Sequence, residues 1–277
     1  MDVIVKFQKI KPSSPYAGVG VAGNIMMVMN AMLNHPNKKF YIDMESNKVI
    51  CSDDEIDWTN NAWEYYFNQN KDISSKKTIT LRTAGRDINR KIEYLKKRYT
   101  NNSPIIKQAR NLFFKNFSFH DLLIEEFEKI KEDLFLKNDV ILGIQIRLTD
   151  MSYYHKVPNL ESYVSKVKKI LREQPNITKL FIATDDDEVL EEIQKQIKIP
   201  VIFQKNILRA SKDNKFQKSY ERFYNKNRKK HHYLMGKEVI LDALLLSVCQ
   251  FLLNSQISSV SILALIFGDN IQKVFHL

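Results

Sequence analysis

The stretch DVILGIQIR at 139–147 constrains the fold more than any other, because its apolar run is broken only by Gly143 and Gln145 and shows no alternation of wet and dry positions. A strand with one solvated face alternates. One that does not is covered on both faces, as in a parallel sheet with helices on either side. A helical pattern at 159–173, the strand KLFIAT at 179–184, a helical pattern at 186–197 and the strand PVIFQ at 200–204 follow it. Strands and helices in that β-α-β-α-β alternation build half of a doubly wound sheet. After a basic polar loop at 208–235, a helix at 236–249, the strand QFLLNS, a helix at 258–267 and a short strand near VFHL continue the series.

The first half opens in the same way, with a strand at 2–7, a Pro/Ser/Gly loop and a helix that begins near Asn24 and runs through IMMVMNAML. A strand or hairpin at 38–50 and amphipathic helices at 86–99 and 119–137 are expected next. The segment NAWEYYFNQ at 61–69 is anchored by Trp63, Tyr66 and Phe67, which at this spacing read as core rather than as a binding platform. The fold class is therefore α/β, in two halves, 1–138 and 139–277. No Gly/Ser or Pro-rich linker separates them, so they are expected to be closely apposed, and no period of about 20–50 residues marks a repeat array.

Charge and cysteines narrow the classes further. The 43 Lys and Arg against 32 Asp and Glu leave a net charge of +11, which attracts anions: nucleic acid, anionic lipid or a nucleotide diphosphate. The densest basic run, Lys226 to Lys230 followed by His231 and His232, has Tyr220, Phe223 and Tyr224 just before it. Its plain reading is a solvated loop or helix face; a nucleic-acid track is the alternative. Cys51 and Cys249 lie far apart, as reduced thiols do, and no zinc spacing exists. The first residues lack a signal peptide's apolar region, and the apolar stretch 239–267 is interrupted by Asp242, Gln250, Asn254 and Gln256. A soluble, cytoplasmic protein is expected.

Ligands of doubly wound sheets bind beyond the carboxyl ends of the strands. Arg147, Thr149 and Asp150 stand there after the first strand of the second half, Thr184, Asp185 and Asp186 after the next, and Ser255, Ser258 and Ser259 after a later one. A cation, carboxylates and hydroxyls converging on one edge suit a nucleotide sugar. Arg147 can hold a diphosphate bidentately and stabilise it as it leaves; its plainer role is an ion pair with Asp150 or a neighbouring Asp. Asp185 and Asp186 are equally readable as caps of the following helix. The loop AGVGVAGN at 17–24 spaces Gly18, Gly20 and Gly23 as G-x-G-x-x-G, with Asp43 about twenty residues on, but no clear second strand precedes that acid. A bland turn, a dinucleotide site and a loop lining a sugar or phosphate site all remain open.

Taken together, these motifs resemble the fucosyltransferase-like group that includes α-1,6-fucosyltransferases, nodulation fucosyltransferases and protein O-fucosyltransferases. GIQIRLTD at 143–150 is similar to its G-V-H-(I/V)-R-x-(T/G)-D strand and loop, and FIATDDD at 181–187 to its strand ending in T-D-D. ILDALLLSVCQFLLNSQISSVS at 240–261 matches most specifically; GVGVAGNIMMVMNAM and NAWEYYFNQ resemble its first loop and helix and a tryptophan-tyrosine segment. The resemblance implies a GT-B-like architecture of two Rossmann-like halves facing a cleft, with the acceptor side first and the nucleotide-sugar side second. It implies inversion, no metal, no cofactor beyond a GDP-sugar donor, namely GDP-fucose, and a glycan acceptor: an oligosaccharide, polysaccharide or lipid-linked glycan.

Carried over by residue, Arg147 would grip the diphosphate, and Thr184, Asp185, Asp186 and Asp242 would help hold the nucleotide. Ser258 and Ser259 would meet phosphate, while Gly23 and Asn24 would line the cleft from the other half. The base would be His155 or Asp150. Gln145 replaces the usual His, Leu148 a second Arg, and Gln250 an Asp, which puts the donor's identity in question. A basic nucleic-acid-binding module, or a non-catalytic protein of the same fold, is the competing reading, with a nucleic-acid partner disfavoured because it leaves the strand-end motifs unexplained. The basic loop offers a peripheral membrane contact.

Overall fold

The structure, a computed structural model, describes residues 2–7, 20–44, 56–72, 76–81, 99–148, 158–209, 228–255 and 258–277. Its contacts divide the chain into two compact units. The first comprises Met1–Lys96, Asn102–Glu126 and Phe223–Leu241; the second comprises Lys97–Asn101, Phe127–Arg222 and Asp242–Leu277.

In the first unit β1 (Asp2–Phe7) buries Val3, Val5 and Phe7 on one face, as period-two alternation requires. The chain crosses through α1 (Val21–Leu33) and returns as β2 (Phe40–Asp43), parallel to β1. Helix α1 thus begins three residues before the expected Asn24, with Gly20 as its N-cap. A 3-10 turn (Ala62–Tyr65) and β3 (Phe67–Gln69) precede β4 (Lys76–Leu81), which completes a sheet of order β2-β1-β4. Asn61 ties the turn to the sheet: its side chain accepts from the Met44 and Trp63 N–H groups and donates to Ile42 O at 2.7 Å. Trp63, Tyr66 and Phe67 are all buried, as expected. Phe67 and Phe117 pack on Trp63 with ring centroids 4.6 and 5.1 Å away.

Helix α2 (Pro104–Asn116) and strand β5 (Phe117–Phe119), which pairs antiparallel with β3, are not among the expected elements, although Pro104 after Ser103 is a helix-start signal. Helix α3 (Asp121–Leu134) lies within the expected 119–137. The helix expected at 86–99 falls almost wholly outside the described residues, as do 45–50 of the expected hairpin.

The second unit holds a parallel sheet built on β6 (Ile141–Ile146), of which every residue is buried. Helix α4 (Leu160–Glu173), β7 (Lys179–Thr184), α5 (Asp187–Gln196) and β8 (Val201–Ile202) follow. Then come α6 (His231–Ser247), β9 (Phe251–Asn254), α7 (Ser259–Phe267) and β10 (Lys273–His276). The strand order is β10-β9-β6-β7-β8. On one face Leu142, Ile144 and Ile146 pack against Tyr163, Val167 and Ile170 of α4 and Val189 and Ile193 of α5. On the other, a Cβ at Gly143 would lie 2.9 Å from both Cys249 Sγ and Leu246 Cδ2, so α6 presses directly on the strand. Both faces are covered, which is why β6 carries no polar alternation.

Two boundaries move. The strand expected at 200–204 shortens to Val201–Ile202, because the Gln204 carbonyl is taken by the Arg209 guanidinium instead of a neighbouring strand. The loop expected to run to 235 ends sooner, since His231–Met235 already belong to α6. Their basic and histidine character reads as loop, but Tyr233 stacks on Tyr66 at 5.8 Å and 6° and holds that turn in place. Among the described residues, no helix is long and apolar enough to cross a membrane.

Candidate functional site

Parallel strands bring their carboxyl ends to one edge, and in the second unit that edge is polar. Strands β6 and β7 run in register with Ile146 opposite Thr184, so the residues that follow, Arg147 and Asp185, emerge side by side. Arg147 Nε stands 3.7 Å from Asp185 Oδ2, with 35% of the arginine side chain exposed and 8% of the aspartate's. At that length the contact is one of charge, not a hydrogen bond. An Asp partner for Arg147 was its plainer expected role. It is present, and it is Asp185.

Asp186, half-buried, caps α5: its side chain accepts the Glu188 N–H at 2.9 Å. Burial raises its carboxyl pKa above the ordinary value, against that N–H, and the neighbouring Asp185 adds to the rise. Ser258 likewise caps α7, accepting the Val260 N–H at 3.2 Å, and Ser259 is the first residue of that helix. Asp242, on α6, accepts a hydrogen bond from Gln204 Nε2 at 2.5 Å. Gly23 and Asn24 belong to the first unit and stand in the first turn of α1, not in a loop; Asn24 is fully buried and its N–H bonds Gly20 O. Asp150, His155, Gly18, Lys226 and the aromatics Tyr220, Phe223 and Tyr224 lie outside the described residues.

One residue of this edge was not read from the sequence. Arg209 is only 9% exposed, donates from Nε to Thr184 O at 3.1 Å and from its terminal nitrogen to Gln204 O, and stands 3.9 Å from Asp187. A buried guanidinium is costly unless its donors are used, and here they satisfy carbonyls at the ends of two strands. Through it Thr184, Gln204 and Asp242 form one connected polar network. Nothing in the sequence separates this arginine from the other cations of a polar loop. Among the described residues no group of three or more His, Cys, Asp or Glu is placed to hold a metal ion.

At the level of sequence, no family model and no curated protein matches the chain. Solved structures do match its fold. NodZ α-1,6-fucosyltransferase soaked with GDP-fucose superposes with a TM-score of 0.58 at 14% identity, over 96% of this chain and 92% of that one. Fucosyltransferase NodZ from Bradyrhizobium gives 0.54 at 14% identity, over 95% and 91%. The fold is that of the NodZ fucosyltransferase. A mutant of Arabidopsis thaliana FUT1 in complex with GDP gives 0.50 at 7% identity, over 96% of this chain and 69% of that one. The architecture is thus GT-B-like, with two Rossmann-like units.

Within this fucosyltransferase fold the departures noted in the sequence acquire positions. Gln145 shares a strand face with Gly143 and is 5% exposed, and its Oε1 has no hydrogen-bond partner among the described residues. Ser261, on α7, is fully buried, and its Oγ also lacks one among the described residues. Native proteins rarely leave buried oxygens unmatched unless a ligand or water completes them.

Proposed function

We propose that the protein is a glycosyltransferase that moves fucose from GDP-fucose to a glycan, with inversion and without an obligatory metal. The second unit takes the donor and the first the acceptor. The observation that carries this reading is the half-exposed Arg147 beside Asp185 at the carboxyl edge of a parallel sheet, in a chain that shares its fold nearly end to end with NodZ. In a single displacement the acceptor oxygen forms a bond to the anomeric carbon as the bond to the diphosphate oxygen breaks and its electron pair stays on the phosphate. A guanidinium fixed where that charge develops lowers the barrier. Asp185 orients Arg147, while Thr184, Asp186, Asp242 and the N-terminus of α7 at Ser258 and Ser259 frame the nucleotide. The acceptor's proton goes to His155 or Asp150.

The basic run gives the nucleic-acid alternative less support, since Arg228 is paired with Glu238. A thermal-shift panel of GDP, UDP and ADP, with magnesium or with EDTA, tests the proposal. A GDP-selective rise in Tm that survives EDTA, followed by hydrolysis of GDP-fucose, is expected. A UDP-selective rise would replace the donor, and no rise with any nucleotide would remove the enzyme reading. Arg147→Ala should lower kcat at least about 100-fold.

A further inference from the structure

The first unit carries an aromatic cluster that the donor site does not use. Trp58 keeps 41% of its surface exposed although three rings touch it: Tyr233 at 5.8 Å and 86°, Tyr65 at 6.2 Å and 68°, and His120 at 6.1 Å and 36°. The supporting rings are themselves fixed, since Tyr65 is buried and Tyr233 stacks on buried Tyr66, whose hydroxyl donates to Tyr233 O at 3.0 Å. An indole so braced costs little further entropy on binding. Charged groups of both signs border it: Lys230 Nζ lies 5.8 Å over the Trp58 ring, Lys237 Nζ 5.7 Å over Tyr233, and Lys237 is paired with Glu126 at 2.6 Å. Lys230 reaches this position from a left-handed backbone, with φ 52°, which a lysine adopts only under constraint.

We infer that Trp58 is the stacking platform of a carbohydrate subsite, taking the flat C–H face of a neutral β-linked hexose while the bordering charges meet its hydroxyl edge. The inference rests on the fucosyl-transfer reading for its role, in which this hexose belongs to the acceptor. A pyranose with equatorial substituents has an apolar face and a ring of donors and acceptors, which matches an exposed aromatic with a polar rim. The mixed charge decides against nucleic acid: a phosphate track needs cations without carboxylate partners, and here Lys237 has Glu126 and Arg228 has Glu238.

The full-length protein should be titrated with cellotetraose and chitotetraose by calorimetry and by tryptophan emission, because Trp58 is the exposed and Trp63 the buried one of its two tryptophans. At least one tetrasaccharide is expected to bind and perturb the emission. Trp58→Ala should weaken that binding tenfold or more and leave the GDP thermal shift intact, with Trp63 emission reporting that the variant is folded; Trp58→Phe serves if it is not. Absence of binding by both sugars, or binding that Trp58→Ala leaves unchanged, overturns the inference. So does a preference for a dodecathymidylate oligonucleotide with steep salt dependence. Tetrasaccharide binding through Trp58 without any GDP shift would keep the platform and remove the fucosyl-transfer reading.

Discussion

At Gly236 a methyl group would lie 2.1 Å from the Tyr66 hydroxyl oxygen and 2.6 Å from Cζ. Alanine inside a helix gains about 1 kcal/mol over glycine, but here the buried, stacked ring of Tyr66 has to move, which costs about 1–3 kcal/mol. Gly236→Ala should therefore lower stability on a urea melt, and Tyr66→Phe in the same chain should rescue only part, because the contact with Cζ stays. Burial pushes the Cys249 thiol far above its ordinary range. In a Cys51→Ser background Cys249 should ignore a thiol reagent at pH 8 and react fully once the chain is unfolded. Burial alone would raise the Asp139 carboxyl, yet bonds from Lys179 Nζ and the Leu136 N–H hold it below its ordinary value. Its folded pKa is thus lower than its unfolded one, so it stabilises above about pH 4 and the contribution fades as pH falls through the folded pKa. Asp139→Asn should flatten that acid limb in melts taken between about pH 5 and pH 2.

At the level of elements, the two readings of the Asp185–Asp186 pair separate. Asp186 caps α5, so Asp186→Ala should cost about 1 kcal/mol, whereas Asp186→Asn keeps the cap and should leave stability close to that of the parent, so that a weaker GDP shift in this variant reads the part of the carboxylate in framing the nucleotide. Asp185→Ala removes the partner of Arg147 and should weaken the GDP shift while leaving α5 capped. Strand β6 was legible because burial on both faces dictates an unbroken apolar run, and β7 for the same reason. The pairing of Arg147 with Asp185 was not, since it follows from the register of Ile146 on Thr184, which local sequence does not encode. Helix α2 carries a start signal in Ser103-Pro104 and an apolar stripe at Ile106, Ala109, Leu112 and Phe113, so it was legible in the sequence although it was not expected. Trp58 follows Asp53, Asp54, Glu55 and Asp57 in the chain and was not singled out from the sequence; only the fold reveals its exposure.

Across the whole molecule, the second unit draws on chain before residue 139. Asn101 Nδ2 donates to Asp269 O at 2.7 Å and Ile271 O at 3.1 Å, Lys179 Nζ bonds Leu134 O, and Phe135 packs edge-on against Phe181 at 5.6 Å. A fragment of residues 139–277 lacks all of these partners and should show weaker near-ultraviolet dichroism and a lower Tm than one that begins at 97. Hydrophobic periodicity by itself determined the α/β class, the parallel second sheet and the polar edge where Arg147, Thr184 and Asp185 stand, because those follow from which short segments bury one face or two. Only the tertiary structure decided that α6 starts at His231 against Tyr66, that Arg209 closes two strand ends, and that Trp58 stays exposed among buried rings. Each of these depends on residues far apart in the chain meeting in space, and local pattern carries no record of such meetings.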